Sequence, residues 1–108
     1  MDKDLLVILK PDFTDPAYPG QRFYCWHCAL IEGVLASCPE LSQAIDVERI
    51  AWPRPRQRLV DLIGDNNQSA PVLILAENTQ GTEKHFITDV HEILRVLSER
   101  HQTLKPHP

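Results

Sequence analysis

Residues 25–38 read CWHCALIEGVLASC, from Cys25 to Cys38, and the shape of this stretch decides the architecture. Leu30, Ile31, Val34, Leu35 and Cys38 fall on one stripe at helical spacing, which predicts an amphipathic helix from Cys25 to Cys38 that ends at Pro39. Cys25 and Cys28 open that helix, with Trp26 and His27 between them. On a helix, residues three apart lie on the same side, so the two sulfurs come close enough to form a disulfide. The free N–H groups and the dipole at a helix start favour negative charge at Cys25, and the thiolate is the reactive form of cysteine. His27 adds a neighbouring charge or hydrogen bond.

Upstream, Leu5-Leu6-Val7-Ile8-Leu9 is an unbroken apolar run closed by Pro11, which predicts a short strand buried on both faces. Asp12 to Phe23, with Pro16, Pro19 and Gly20, reads as a loop, either a substrate-selecting lid or simple packing beside the helix. Downstream, alternation predicts a second strand around Ile45 to Trp52, with a slip in phase at Glu48-Arg49. Pro53 and Pro55 open a second helix whose inner face is Leu59, Leu62 and Ile63 and whose stop is Gly64. After the polar link Asp65 to Ser69, Ala70-Pro71 leads into a second apolar strand, Val72 to Ala76. Asn78 to Gly81 suggest a hairpin turn into an outer strand around Lys84 to Thr88. Asp89 then caps a final helix with Val90, Ile93, Leu94 and Leu97 inward and Glu92, Arg95, Glu99 and Arg100 outward.

The order is β-α-β-α-β-β-α. A right-handed crossover sets the first two strands side by side and parallel, and the last two form an antiparallel hairpin on the other side of the first strand. The expected fold class is α/β, a four-stranded mixed sheet with helices on both faces. One domain spans 1–102, and 103–108 form a loose tail.

Composition narrows the function. In 108 residues, 43% are hydrophobic and 24% charged, the balance of a folded globular domain. A net charge of −4 argues against nonspecific nucleic-acid binding, which needs a basic face. The start, Met1-Asp2-Lys3-Asp4, lacks the positive region of a secretory signal, and no run approaches a membrane span; the expectation is a cytoplasmic protein. In that compartment a Cys-x-x-Cys pair is catalytic or metal-binding rather than structural. A structural zinc site wants a second pair or spaced histidines, and Cys38, His85 and His91 lie on different elements, so no metal site is assigned.

These features together resemble the thioredoxin and glutaredoxin superfamily: a strand, a helix-opening Cys-x-x-Cys, a Leu62-Ile63-Gly64 helix end, a small residue before Pro71, and a hairpin feeding a helix. The chain is also similar to an uncharacterised bacterial thioredoxin-like family known only as a domain of unknown function. The resemblance implies that Cys25 is the exposed nucleophile and Cys28 resolves the mixed disulfide. It implies that Pro71 is cis and faces the dithiol, that the Ala70 backbone pairs with a substrate peptide or glutathione, and that Asp89 meets a glutathione amine. Trp26-His27 resembles the Pro-His and Gly-His pairs of the oxidising branches, in which the histidine stabilises the thiolate. Trp26 either contacts substrate or lies over Tyr18 or Phe23.

Two other features have both a structural and a functional reading. Cys38 reads as a small core residue or as a regulatory thiol, and Arg49, Arg54, Arg56 and Arg58 read as a solvated face or as an anion site. The expected function is a thiol–disulfide oxidoreductase without cofactor, acting on protein or low-molecular-weight disulfides, with glutathione as a candidate substrate or reductant. The alternatives are a thioredoxin-like binding module without redox turnover, and a metal or iron–sulfur carrier using Cys25 and Cys28.

Overall fold

The run Leu5–Leu9 forms β1, and all five of its residues are buried in the computed structural model, which describes residues 3–64, 67–76 and 86–108. A strand apolar on both faces must be central, and β1 is: the sheet order is β2-β1-β3-β4. β2 (Asp46–Ile50) pairs parallel to β1, with Leu9 opposite Ile50. β3 (Val72–Ile74) pairs antiparallel to β1, with Val72 opposite Val7, and β4 (Phe86–Ile87) pairs antiparallel to β3. The two central strands are uniformly apolar, whereas the edge strands are only partly buried. β2 carries Asp46, Glu48 and Arg49, charges that discourage pairing with another chain.

The pleat sorts β1 between two cores. Leu6 and Ile8 pack with Ile31 and Leu35 of α1 (Trp26–Ser37), Leu41 of α2 (Pro39–Ala44), and Ile93 and Leu97 of α4 (Val90–His101). Leu5 and Val7 face the other way, onto Leu59 of α3 (Gln57–Ile63). The result is an α/β fold with a four-stranded mixed sheet and, among the described residues, four helices. None of these helices is long and apolar enough to cross a membrane.

The structure moves several sequence-based boundaries. Pro39 does end α1, but it also starts α2, which the sequence reading lacked. Proline at the first position of a helix forfeits only an N–H that has no intrahelical partner, so Cys38 closes one helix and precedes the next. Neither Pro53 nor Pro55 lies in α3, which starts at Gln57 after a cis Arg54–Pro55 bond; Gly64 ends it at φ 94°, a conformation that suits glycine. β2 ends at Ile50 rather than Trp52, and β3 at Ile74 rather than Ala76. The Asn78–Gly81 turn and residues 84–85 of the outer strand lie outside the described residues. Leu30 is 47% exposed and not on the core stripe, because the buried positions run Cys28, Ile31, Leu35. It borders an apolar cavity of about 570 Å³ between α1, α4 and residues 103–106.

Arg100 does not simply point outward. Its Nε and Nη2 each donate at 2.8 Å to Asp4, a carboxylate buried just before β1. Asp4 also accepts the Ala76 N–H at 2.8 Å, and His101 Nε2 lies 2.9 Å from it. One carboxylate thus ties the first strand to residues 72, 96 and 97 positions further along the chain.

Candidate functional site

The C-terminal ends of β1 and β2 and the start of β3 lie along one edge of the sheet, as the pairing of Leu9 with Ile50 and of Val7 with Val72 requires. The start of α1 joins them there through a side chain: Leu9 N–H donates to Cys28 Sγ at 3.3 Å. The preceding loop is held by a bridge between Phe13 and Phe23 and by a two-pronged Arg22–Asp12 pair at 2.6 and 2.7 Å. Phe13 stacks on Trp52 at 5.2 Å with 5° between the rings, so the residues beyond β2 also pack against this loop.

Cys25 occupies the N-cap of α1 in extended conformation, and its sulfur accepts the Cys28 N–H at 3.2 Å. This is the position in which a serine or aspartate oxygen caps a helix; here a sulfur receives the N–H and the positive end of the dipole. Cys25 is partly exposed and Cys28 is buried, and both are free thiols. Burial pushes the Cys28 thiol up to about 12, helped by its hydrogen bond to the Cys25 sulfur, while the Leu9 N–H and the Arg56 charge pull the other way. Cys28 therefore stays protonated at neutral pH and donates to Cys25. The pair opens on a cleft of about 590 Å³ bordered by Leu9, Pro11, Tyr24, Ala29 and Glu32.

The remaining predicted site residues are distributed around this pair. Trp26 is 83% exposed and makes no ring contact among the described residues; Tyr18, not Trp26, meets Phe23, edge-on at 5.9 Å. His27 is exposed, with no hydrogen bond among the described residues. The Ala70–Pro71 bond is cis, Pro71 is buried, and Ala70 packs against the same core cluster as Cys25 and Trp52. Asp89 caps α4, its carboxylate accepting the Glu92 N–H at 2.9 Å. Cys38 is buried at the far end of α1, its thiol donating to Glu40 at 3.1 Å. Among the described residues, no three His, Cys, Asp or Glu side chains converge in a metal-binding arrangement.

The arginine cluster separates into two kinds. Arg49 forms a two-pronged pair with Glu32, and Arg58 another with Glu48, so both are partnered surface charges. Arg56 is different. It is 9% exposed, donates from Nε to the Trp52 carbonyl at 2.9 Å and from Nη1 to the Gln68 carbonyl at 2.7 Å, and has no carboxylate partner among the described residues. Burial and the neighbouring Arg54 push its guanidinium below its ordinary value; the Cys25 and Cys28 sulfurs pull it back up. The sequence marked Arg56 as one of a cluster of arginines, but its burial beside the dithiol depends on long-range packing that no local pattern reports.

No curated protein and no solved structure matches the chain. A family model described as a protein of unknown function, DUF3088, matches residues 3–105, and the chain belongs to that family.

Proposed function

We propose that the chain is a thiol–disulfide oxidoreductase on a thioredoxin-like fold. The sheet order β2-β1-β3-β4 and the cis peptide before β3 support the fold reading. The observation that carries the function is the asymmetry of the dithiol: Cys25 partly exposed at a helix start with an N–H on its sulfur, Cys28 buried and protonated behind it. Such a pair divides the work of disulfide exchange. The Cys25 thiolate attacks one sulfur of a substrate disulfide and expels the other as a thiolate, leaving a mixed disulfide. Cys28 then loses its proton to solvent and attacks Cys25 Sγ, releasing the second substrate sulfur. Two electrons pass to the substrate, which becomes two thiols, and the protein ends as the Cys25–Cys28 disulfide. A low-molecular-weight thiol such as glutathione restores the dithiol.

In this scheme the cis-Pro71 segment presents the Ala70 backbone to the bound disulfide, His27 tunes the charge on sulfur, and the exposed Tyr24 and Trp26 flank the attacking atom. The test is turnover with a protein disulfide and with a glutathione mixed disulfide. Cys25→Ser is expected to abolish both activities, and Cys28→Ser to accumulate a covalent substrate adduct on Cys25 detectable by mass. A wild-type protein that turns over neither substrate and forms no Cys25–Cys28 disulfide would overturn the proposal.

A further inference from the structure

Arg56 presents a physical problem. A cation removed from water is strongly disfavoured unless a counter-charge or a full set of hydrogen bonds replaces the solvent. Two carbonyls meet Nε and Nη1, and the Gln68 side chain accepts the Arg56 backbone N–H at 2.8 Å, but no carboxylate neutralises the charge among the described residues. The nearby Arg54 adds repulsion. This contrasts with Arg49 and Arg58, exposed and each paired with a glutamate.

Its location supplies the missing partner. The carbonyls that hold it belong to Trp52, two residues beyond β2, and Gln68, four residues before β3. Both lie off the sheet edge where Leu9 meets Cys28, and Trp52 and Cys25 pack against one core cluster. Both sulfurs act electrostatically on the guanidinium, and its charge in turn acts on the Cys28 thiol. Among the described residues at this edge, Asp12 and Glu32 are already paired with Arg22 and Arg49, which leaves the sulfurs as the groups able to carry negative charge opposite Arg56.

We propose that Arg56 is a positioning residue for the dithiol, the fixed cation that balances negative charge on the Cys25 and Cys28 sulfurs; its place in a catalytic cycle rests on the oxidoreductase reading above. In the reduced protein, charge on sulfur faces Arg56. When Cys25 has formed the mixed disulfide, the same cation favours loss of the Cys28 proton, which the second attack needs. In the finished disulfide neither sulfur is charged, and Arg56 keeps only its carbonyls. Arg56 therefore stabilises the reduced form and makes the disulfide the more oxidising.

The test uses the full chain and two readouts. The first is the disulfide equilibrium in glutathione buffers, and the second is the rate at which iodoacetamide alkylates Cys25 at pH 7, which requires no disulfide. Arg56→Met removes the charge and the clamp. Gln68→Glu keeps the clamp, because Arg56 Nη1 bonds the main chain of residue 68, and sets a competing anion beside the guanidinium; it serves where Arg56→Met does not fold. Both are expected to slow alkylation several-fold and to shift the equilibrium about tenfold toward the disulfide, about 30 mV more negative. Arg56→Lys, which keeps the charge and loses the fork, is expected to retain most of the alkylation rate. Folded Met and Glu variants within twofold of wild type on both readouts, or a Lys variant as slow as Met, would remove the role assigned to Arg56. Absence of any Cys25–Cys28 disulfide in the wild type would instead sink the oxidoreductase reading, with the alkylation rates still deciding Arg56.

Discussion

Cys28 is buried, donates to its partner sulfur, and has its thiol pushed up to about 12 from an ordinary 9.0. A raised thiol in the folded state contributes stability that is complete below pH 9 and is lost as the pH rises toward 12. The reduced protein is therefore expected to lose stability between these values in denaturant titrations. The disulfide form lacks both thiols of the pair, and the difference between the two forms separates the dithiol contribution from that of other alkaline groups. Equal alkaline slopes for the two forms would contradict the burial of this sulfur. The cysteine pair was legible in the sequence because a spacing of three on a helix is a local fact. Arg56 was not, since its solvent exposure is set by residues 52 and 68, brought to it by the fold.

At the scale of the element, the apolar runs Leu5–Leu9 and Val72–Ala76 mark two central strands, the second of which stops at Ile74, and the Asp89 cap and inner stripe of α4 follow from capping chemistry and the 3.6-residue period. The hidden element was α2. Six residues are too few to show a period, and the proline that opens them also closes α1. Its anchor is Leu41, 1% exposed in the core beneath α1 and α4. Leu41→Ala is expected to cost about 2–5 kcal/mol by urea denaturation, the range for a leucine removed from a packed interior. A loss below about 1 kcal/mol would mean that α2 is a surface appendage rather than part of the core.

At the scale of the whole molecule, Asp4 joins distant parts of the chain. Burial pushes its carboxyl up, but the hydrogen bonds from Arg100, the Ala76 N–H and His101 together outweigh that and hold it below its ordinary 3.8. A depressed carboxylate contributes stability that is present above pH 3.8 and is lost as the pH falls through its lower folded-state value. Acid unfolding of the wild type is expected to steepen below about pH 4, and Asp4→Asn to flatten that limb. Asp4→Ala, which leaves the Ala76 N–H and the Arg100 fork without their acceptor, is expected to cost about 3–5 kcal/mol at pH 7. An unchanged acid limb in Asp4→Asn would show that the clamp contributes little.

The two tryptophans of the chain have a consequence of their own. Trp26 lies between the cysteines, and Trp52 lies beyond β2, its ring on Phe13 and its carbonyl on Arg56. Both indoles thus stand at one pole of the molecule, with the Asp4 clamp at the other. Ultraviolet emission is in effect a built-in gauge of the dithiol pole, and motion confined to the opposite pole leaves that emission unchanged.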